Sequence, residues 1–541
     1  MTLSITARVR QAGMVAAALL LLNASLAFEN VWPTPAVRWR GLLSVELAVL
    51  VLLLAALAAF RAAWPRRIAG GVAAVWTLMV VGRYADVTAS ALFGREINLY
   101  WELQFVPDVA SMFATAAQTW LVAAVVAAAL IVLAVLWLIV RWALRRVGAA
   151  LAEPAPRAGL AGLALVVLGA YLLLPPLPDY ETRRIEFATP VTSTYARQVR
   201  LAIRSRSATT TVAASPVMDS DLSRLGGADV LLVFLESYGA ITYDNPWLAE
   251  QLAASRAGFA AAIRDTRREV VSAFVESPTF GGSSWLAHIS LLSGVDVPDP
   301  DTNALLMRET RDTWPKAMAR GGYRTVALMP GLWQQWPEGG FYGFDDIYGG
   351  ERLQYQGPQF GWFDIPDQFA LAQLDALEAG KTRAPAFTFF PTITTHTPFT
   401  PRPPYQPDWQ RMLTPHPYDD DELEQAYAQE TDWTNLTPSY AEAIAYSYTT
   451  VAGYLRAHAD RDLVLVLIGD HQPPALVTGP GAPWDVPVHV IASHPAVLER
   501  LRGHGFTSGL TPSRPHLGRM HTLLPVLLDA FGNGTQGKDK K

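Results

Sequence analysis

The sequence predicts a two-part chain: an N-terminal α-helical membrane domain of five transmembrane helices, then a C-terminal α/β domain on a mixed, mostly parallel sheet. Three observations predict it. Of the 541 residues, 51% are hydrophobic and only 17% are charged, against about 25% charged in an ordinary soluble chain. Charge is also segregated. Seven of the 48 acidic residues (Glu29, Glu46, Asp86, Glu96, Glu102, Asp108 and Glu153) lie in the first 176 positions, so the two parts face different solvents. After residue 228, short apolar runs alternate with helix-like stretches, the pattern of a sheet covered on both faces. The expected divisions are 1–176 for the membrane helices, 177–225 for a juxtamembrane linker, 226–530 for the α/β domain and 531–541 for a polar tail.

The chain has no cysteine, which excludes disulfides, thiolate metal sites, iron–sulfur clusters and cysteine nucleophiles. Its net charge of −5, with no basic stripe in the polar part, predicts no nucleic-acid partner.

Spanning hydrocarbon as helix takes about 20 mostly apolar residues, and segments 12–28, 41–60, 68–84, 119–140 and 158–176 fit wholly or in part. The first reads as an uncleaved helix rather than a signal peptide, because four more apolar segments follow it and no small-residue cleavage site ends it. The third is short and runs into Arg83 and Asp86. With the N-terminus inside, the inner connections hold Arg8, Arg10, Arg61, Arg66, Arg67, Arg141, Arg145, Arg146 and Arg157. The outer ones hold Arg38, Arg40 and Arg95, with Arg83 at the boundary. This excess predicts an N-terminus inside, and five crossings then place everything after Pro176 outside. Arg183 and Arg184 oppose it, although long translocated domains are largely exempt from the rule. Glu46 then lies about 8 Å below the outer end of the second helix and pairs with Arg83, as a structural ion pair or as a contact for lipid headgroups.

In the linker, Val199, Leu201 and Ile203 alternate with Arg197, Arg200, Arg204 and Arg206. That pattern fits an amphipathic helix on the outer leaflet or an ordinary surface linker. Beyond it, ADVLLVFLES, YRTVALMP, APAFTFFPTITT and DLVLVLIGDH read as buried strands. Two end in chemistry, at Glu236 and at Asp470–His471, and open sheets place their sites at the carboxyl ends of parallel strands.

Between Thr279 and Val295 the chain reads TFGGSSWLAHISLLSGV. A Gly281–Gly282 turn puts Ser283 or Ser284 at a helix start, where a hydroxyl either caps the helix or faces an anionic phosphoryl group. Together Glu236, a serine hydroxyl, Asp470 and His471 form a ligand set suited to Zn²⁺ or Mn²⁺, with Mg²⁺ less suited. The metal would lower the serine pKa and polarise a phosphoryl oxygen.

In order, VLLVFLESYG, FGGSSWLAHISLLSGV, GYRTVALMPG, FYGFDDIYG, TTHTPF and LVLIGDHQPP resemble the lipoteichoic acid synthase and phosphoglycerol transferase group of the alkaline phosphatase superfamily. The resemblance covers roughly 228–500, and it implies an alkaline-phosphatase-like (sulfatase-like) domain. It further implies a single-metal site whose hydroxyl nucleophile takes a phosphoalcohol from a phospholipid. On this resemblance Glu236, Asp470 and His471 match the metal ligands and His396 a substrate-contacting histidine. Ser284 is the nucleophile and fourth metal ligand, because Gly294 follows it by the ten residues seen in relatives. Many relatives use threonine instead. Formylglycine sulfatases need Pro and Arg where this chain has Leu286 and His288, and related phosphoethanolamine transferases often carry disulfides.

His288 lies one helical turn after Ser284, as a substrate or metal-shell contact or as a packed side chain. Trp333, Gln334, Trp336, Tyr342 and Asp346 lie in a loop rich in glycine and aromatics that forms a headgroup or acceptor pocket or else packs on itself. His489 reads as structural, and Asp419 to Glu422 as a solvated helix start. The expected protein is a bacterial inner-membrane enzyme with an extracytoplasmic catalytic domain. Its partners are the membrane, a phospholipid donor and a glycan or lipid acceptor. The alternatives are a phosphodiesterase or phosphatase that hands the same intermediate to water, and a non-catalytic envelope scaffold.

Overall fold

A computed structural model describes residues 5–31, 34–60, 66–93, 98–103, 119–173, 186–206, 212–333, 336, 338–361, 365–378 and 384–533. The chain divides into two compact units, Met1–Leu92 with Glu96–Ala208, and Thr209–Lys541 with Phe93–Arg95.

The N-terminal unit holds helices α1 (Ile5–Leu26), α2 (Val45–Phe60), α3 (Arg66–Phe93), α4 (Thr119–Leu151), α5 (Pro154–Leu173) and α6 (Val191–Arg206). Among the described residues, four of these are long and apolar enough to cross a membrane: α1, α3, α4 and α5. The expected second span is the shorter helix α2, of 16 residues, about 24 Å long against a hydrocarbon core of about 30 Å. Five spanning helices are therefore not counted among the described residues.

Helix α3 also differs from expectation. It does not end near Arg83 but continues to Phe93, so Arg83 is buried within it. Arg83 does not pair with Glu46: Nη2 donates to the Phe28 carbonyl at 2.8 Å, while Glu46 Oε2 accepts from Ser44 Oγ at 3.0 Å and Oε1 from the Thr192 amide. Two buried charges are thus satisfied separately, each by neutral groups. Asp86 instead meets Arg197 at 3.3 Å. The arginine-bearing stretch 191–206 is helical, and Tyr195 ties it to the Leu78 carbonyl at 2.7 Å. Side chains 204–206, residues 174–185 and the tail from 534 lie outside the described residues.

The C-terminal unit is built on eight strands: β1 (Asp229–Leu235), β2 (Glu269–Glu276), β3 (Arg324–Met329), β4 (Asp346–Gly349), β5 (Ala386–Pro391), β6 (Leu463–Gly469), β7 (Asp485–Ala492) and β8 (Thr507–Ser508). They form one sheet in the order β8-β2-β7-β6-β1-β5-β3-β4. Strands β6, β1, β5, β3 and β4 are mutually parallel. β7 runs against both β6 and β2, and β8 against β2, so β2 points the same way as the parallel set and the sheet is mixed.

The continuous apolar runs follow from burial on both faces. In β1, Val230, Leu232 and Phe234 enter one core with Val464, Val466 and Ile468 of β6. Leu231, Val233 and Leu235 enter the other with Leu463, Leu465 and Leu467. From Val230 to Leu235 and from Leu463 to Ile468 every side chain is apolar, so the polar groups of the site stand at the carboxyl ends of these strands.

Candidate metal and nucleophile site

Four chain segments deliver polar groups to one edge of the sheet. β1 ends into Glu236, β6 ends into Asp470–His471, and β5 ends into the 392–396 loop. The fourth is helix α7 (Ser284–Ser293), which follows β2. Gly281, Gly282 and Ser283 have φ of 65°, 144° and 63°. Two glycines give this left-handed turn at low cost, while Ser283 adopts it under strain. The turn makes Ser283 the N-cap, without a side-chain capping bond, and delivers Ser284 to the carboxylates. Gly294, with φ of 65°, closes the helix, and any side chain there would collide with Pro216.

Ser284 Oγ donates to Glu236 Oε2 at 2.7 Å and lies 3.1 Å from His471 Nε2. His471 Nε2 is 3.4 Å from Glu236 Oε1 and 3.9 Å from Asp470 Oδ1. Glu236, Asp470 and His471 are all buried, and each offers a ligand atom within 4.8 Å of the others. Each group is oriented from behind. Asp470 Oδ1 accepts the amides of Ser237 and His471 at 2.8 and 2.6 Å. His471 Nδ1 donates to the Gln472 carbonyl at 2.7 Å, which fixes the ring and points Nε2 inward. Ser237 Oγ donates to Glu236 Oε1 at 3.0 Å. Gly469 admits no side chain, because a Cβ would strike the Tyr238 carbonyl.

Electrostatics mark the same cluster. Burial pushes Asp470 well above the usual carboxylate range, and the Glu236 charge pushes it further. Burial opposes ionisation of Glu236, but adjacent His471 and nearby His396 draw it below its ordinary value. Burial would lower His471, yet Asp470 and Glu236 raise it to about 9. Two buried carboxylates held against one imidazole call for a cation. Two oxygen donors, an inward imidazole nitrogen and a hydroxyl fit a divalent metal of the Zn²⁺ or Mn²⁺ kind.

Loop 392–396 is laced to this cluster. The Glu236 amide donates to Thr392 Oγ1 at 3.0 Å, and Thr395 Oγ1 donates to the Glu236 carbonyl at 2.5 Å. His396 is exposed, and its Nδ1 donates to the Thr397 carbonyl at 2.8 Å. Asp367 supports the loop from beneath, at the start of helix α8 (Asp367–Glu378). Its buried carboxylate accepts the Ile393 and Thr394 amides at 2.8 and 2.9 Å, and burial raises its pKa to about 6. Sequence reasoning missed Asp367, Ser237, Thr392 and Thr395. Ser237 and Thr395 stood inside the motifs VLLVFLESYG and TTHTPF, Thr392 inside the strand run APAFTFFPTITT, and Asp367 inside none.

Other expected residues fall elsewhere. His288 is wedged between Phe234 and Phe389, with ring centroids at 4.6 and 5.4 Å. Burial lowers its pKa to about 3, and its Nε2 has no hydrogen-bond partner, so it is a packed neutral side chain rather than a substrate contact. Tyr342 is buried in an aromatic stack with Trp336 and Phe344, which corrects the pocket expectation. Asp346 opens β4, at the opposite end of the parallel strands, and pairs with Arg324 at 2.5 Å and Arg352 at 3.3 Å. It too is structural. Trp333 follows the carboxyl end of β3, half-exposed and flat against Gly350. Gln334 lies outside the described residues. His489 is fully buried, with Nε2 2.9 Å from the Tyr238 hydroxyl, in agreement with a structural role.

Residues 306–485 match the family model described as Sulfatase, a span that includes His396, Asp470 and His471. No curated protein matches the chain. Among solved structures, it is similar to the lipooligosaccharide phosphoethanolamine transferase EptA from Neisseria meningitidis, at 13% identity and a TM-score of 0.49, over 97% of this chain and 96% of that one. It is also similar to the lipoteichoic acid synthase LtaP from Listeria monocytogenes (14%, TM-score 0.38, 61% of this chain and 77% of that one). A third is the Streptococcus pyogenes phosphoglycerol transferase GacH in complex with sn-glycerol-1-phosphate (10%, TM-score 0.35, 59% and 84%). The Sulfatase match lies over the strand that delivers Asp470 and His471 and over the loop that carries His396, so residues 306–485 form a sulfatase-like enzyme domain.

Proposed function

We propose that the protein is a bacterial inner-membrane phosphoalcohol transferase with its N-terminus in the cytoplasm and its C-terminal domain outside. It moves a phosphoglycerol or phosphoethanolamine group from a phospholipid to an envelope glycan or lipid. The observation that carries this reading is the Ser284 hydroxyl held against Glu236 and His471 at the start of a helix. The apolar helices support a lipid donor.

Glu236, Asp470, His471 and Ser284 would hold one divalent ion. When bound, it supplies positive charge that favours the Ser284 alkoxide and the developing charge on a phosphoryl oxygen. Ser284 then attacks phosphorus in line. The Ser284 Oγ–P bond forms, the P–O bond to diacylglycerol breaks, and the imidazolium of His396 gives the departing oxygen its proton. In the second half, neutral His396 takes the proton of an acceptor hydroxyl as that oxygen attacks phosphorus, and the Ser284 alkoxide is released. Buried second partners keep the residues in place through both halves.

The test compares Ser284→Ala and Ser283→Ala in purified full-length protein with phospholipid vesicles and Mn²⁺ or Zn²⁺. Release of diacylglycerol that needs Ser284 but not Ser283 supports the reading. Undiminished release from Ser284→Ala at normal protein level defeats it.

A further inference from the structure

Helices α9 (Asp420–Tyr427) and α10 (Thr437–Ala457) and the Arg402–Tyr405 segment enclose an open groove of about 430 Å³, within the size range of small-molecule sites. Its walls carry Arg402, Tyr405, Glu422, Gln425, Gln429 and Glu442. Pro403 lines both this groove and a small cavity beside His396. The groove therefore lies next to the cavity that His396 lines.

The chemistry of the walls selects a ligand class. Two carboxylates face one guanidinium, and that guanidinium is already engaged, with Arg402 Nη1 donating to Glu442 Oε2 at 2.7 Å. A phosphate or other anion would meet a net negative wall. An apolar ligand would strip water from amides and carboxylates without replacing its hydrogen bonds. A neutral polyhydroxylated ligand satisfies both kinds of group, because each hydroxyl donates to a carboxylate or amide oxygen and accepts from an amide or guanidinium. The walls are also held in advance of any ligand. Gln429 Oε1 accepts the Arg402 amide at 3.1 Å, and Glu422 Oε2 accepts the Asp419 amide at 3.0 Å. Tyr405 sets its hydroxyl end against α10 at Gly453, where any side chain would run into the phenol.

We propose that this groove binds a sugar unit of a neutral glycan acceptor, away from the unit whose hydroxyl is modified at Ser284. The proposal rests on the transfer reading above and narrows its acceptor from a glycan or lipid to a glycan. The glycan chain would run from the groove past Pro403 to His396.

Gln425→Trp and Thr449→Trp fill the groove from two of its walls, and both positions are exposed on helices. Saturation-transfer NMR on the detergent-solubilised full chain reads binding without catalysis, using a mixture of neutral gluco-, manno- and N-acetylglucosamine oligosaccharides as the probe. At least one oligosaccharide should bind the wild type and neither variant. Its KM as acceptor should rise at least about tenfold in the variants, while diacylglycerol release from phosphatidylglycerol and phosphatidylethanolamine vesicles is unchanged. No binding to the wild type, or binding that survives either substitution, overturns the groove assignment. Absence of Ser284-dependent release from the wild type overturns the transfer reading instead, whatever the NMR result.

Discussion

Ser284 Oγ and Glu236 Oε2 stand 2.7 Å apart although 48 residues separate them in the chain. The contact exists because β1 and β2 point the same way, and because a left-handed turn at Gly281–Ser283 returns the chain to the end of β1. A serine that merely capped α7 would turn its hydroxyl to its own helix. This one turns to a carboxylate, where it meets a metal-ligand set.

Metal binding should release a proton. In the metal-free protein the Asp470 and Glu236 charges raise His471 to about 9, so at neutral pH its Nε2 must lose a proton to become a ligand. Affinity for Zn²⁺ or Mn²⁺ should therefore fall as pH falls from 9. Calorimetry in buffers of different ionisation enthalpy measures the proton count. Asp470→Asn should abolish the heat of binding, and saturating metal at about 100 times Kd should stabilise the wild type by about 2.7 kcal/mol.

Asp367 makes an opposite-signed contribution to stability. Its folded pKa, about 6, lies above the ordinary 3.8 because burial disfavours the charge. The native state therefore binds more protons than the unfolded state between those values, and stability falls as pH rises through that window. About 3 kcal/mol is at stake. Thermal unfolding of the full chain from pH 4 to pH 7 should show this decline in the wild type, and Asp367→Asn should lack it. Equal slopes in the two proteins would contradict the assignment.

His288→Leu should leave transfer activity within a few-fold of wild type. It removes a buried nitrogen without a partner, an arrangement that costs about 1–3 kcal/mol, so the variant should melt no lower than the wild type. Activity reduced by orders of magnitude in a folded protein would return His288 to the reacting groups.

Gly469→Ala should eliminate metal binding while leaving the sheet intact. A methyl there strikes the Tyr238 carbonyl, and Tyr238 follows Ser237, whose amide orients Asp470. Elemental analysis of the purified variant checks this. A full equivalent of metal would show that the close approach does not matter.

The parallel strands and Glu236, Asp470 and His471 were legible because each strand is one unbroken apolar run ending in its own polar group. Asp367 was not, since its partners, Ile393 and Thr394, lie 26 and 27 residues away and a helix-start aspartate looks like an ordinary cap. Tyr342 and Asp346 stood between a pocket and packing because composition around 333–346 allows either; Tyr342 packs into the core and Asp346 neutralises arginines at the far edge. Arg83 appeared to end a helix because a charge is costly in an apolar run. A free carbonyl at Phe28 offsets that cost.

Intact-protein mass spectrometry tests the central claim most directly. Metal-loaded wild type quenched during turnover with phosphatidylglycerol or phosphatidylethanolamine vesicles should gain the mass of the corresponding phosphoalcohol, mapped by fragmentation to Ser284 and absent from Ser284→Ala. A protein that releases diacylglycerol but never carries the adduct, or that carries it on another residue, would contradict the account.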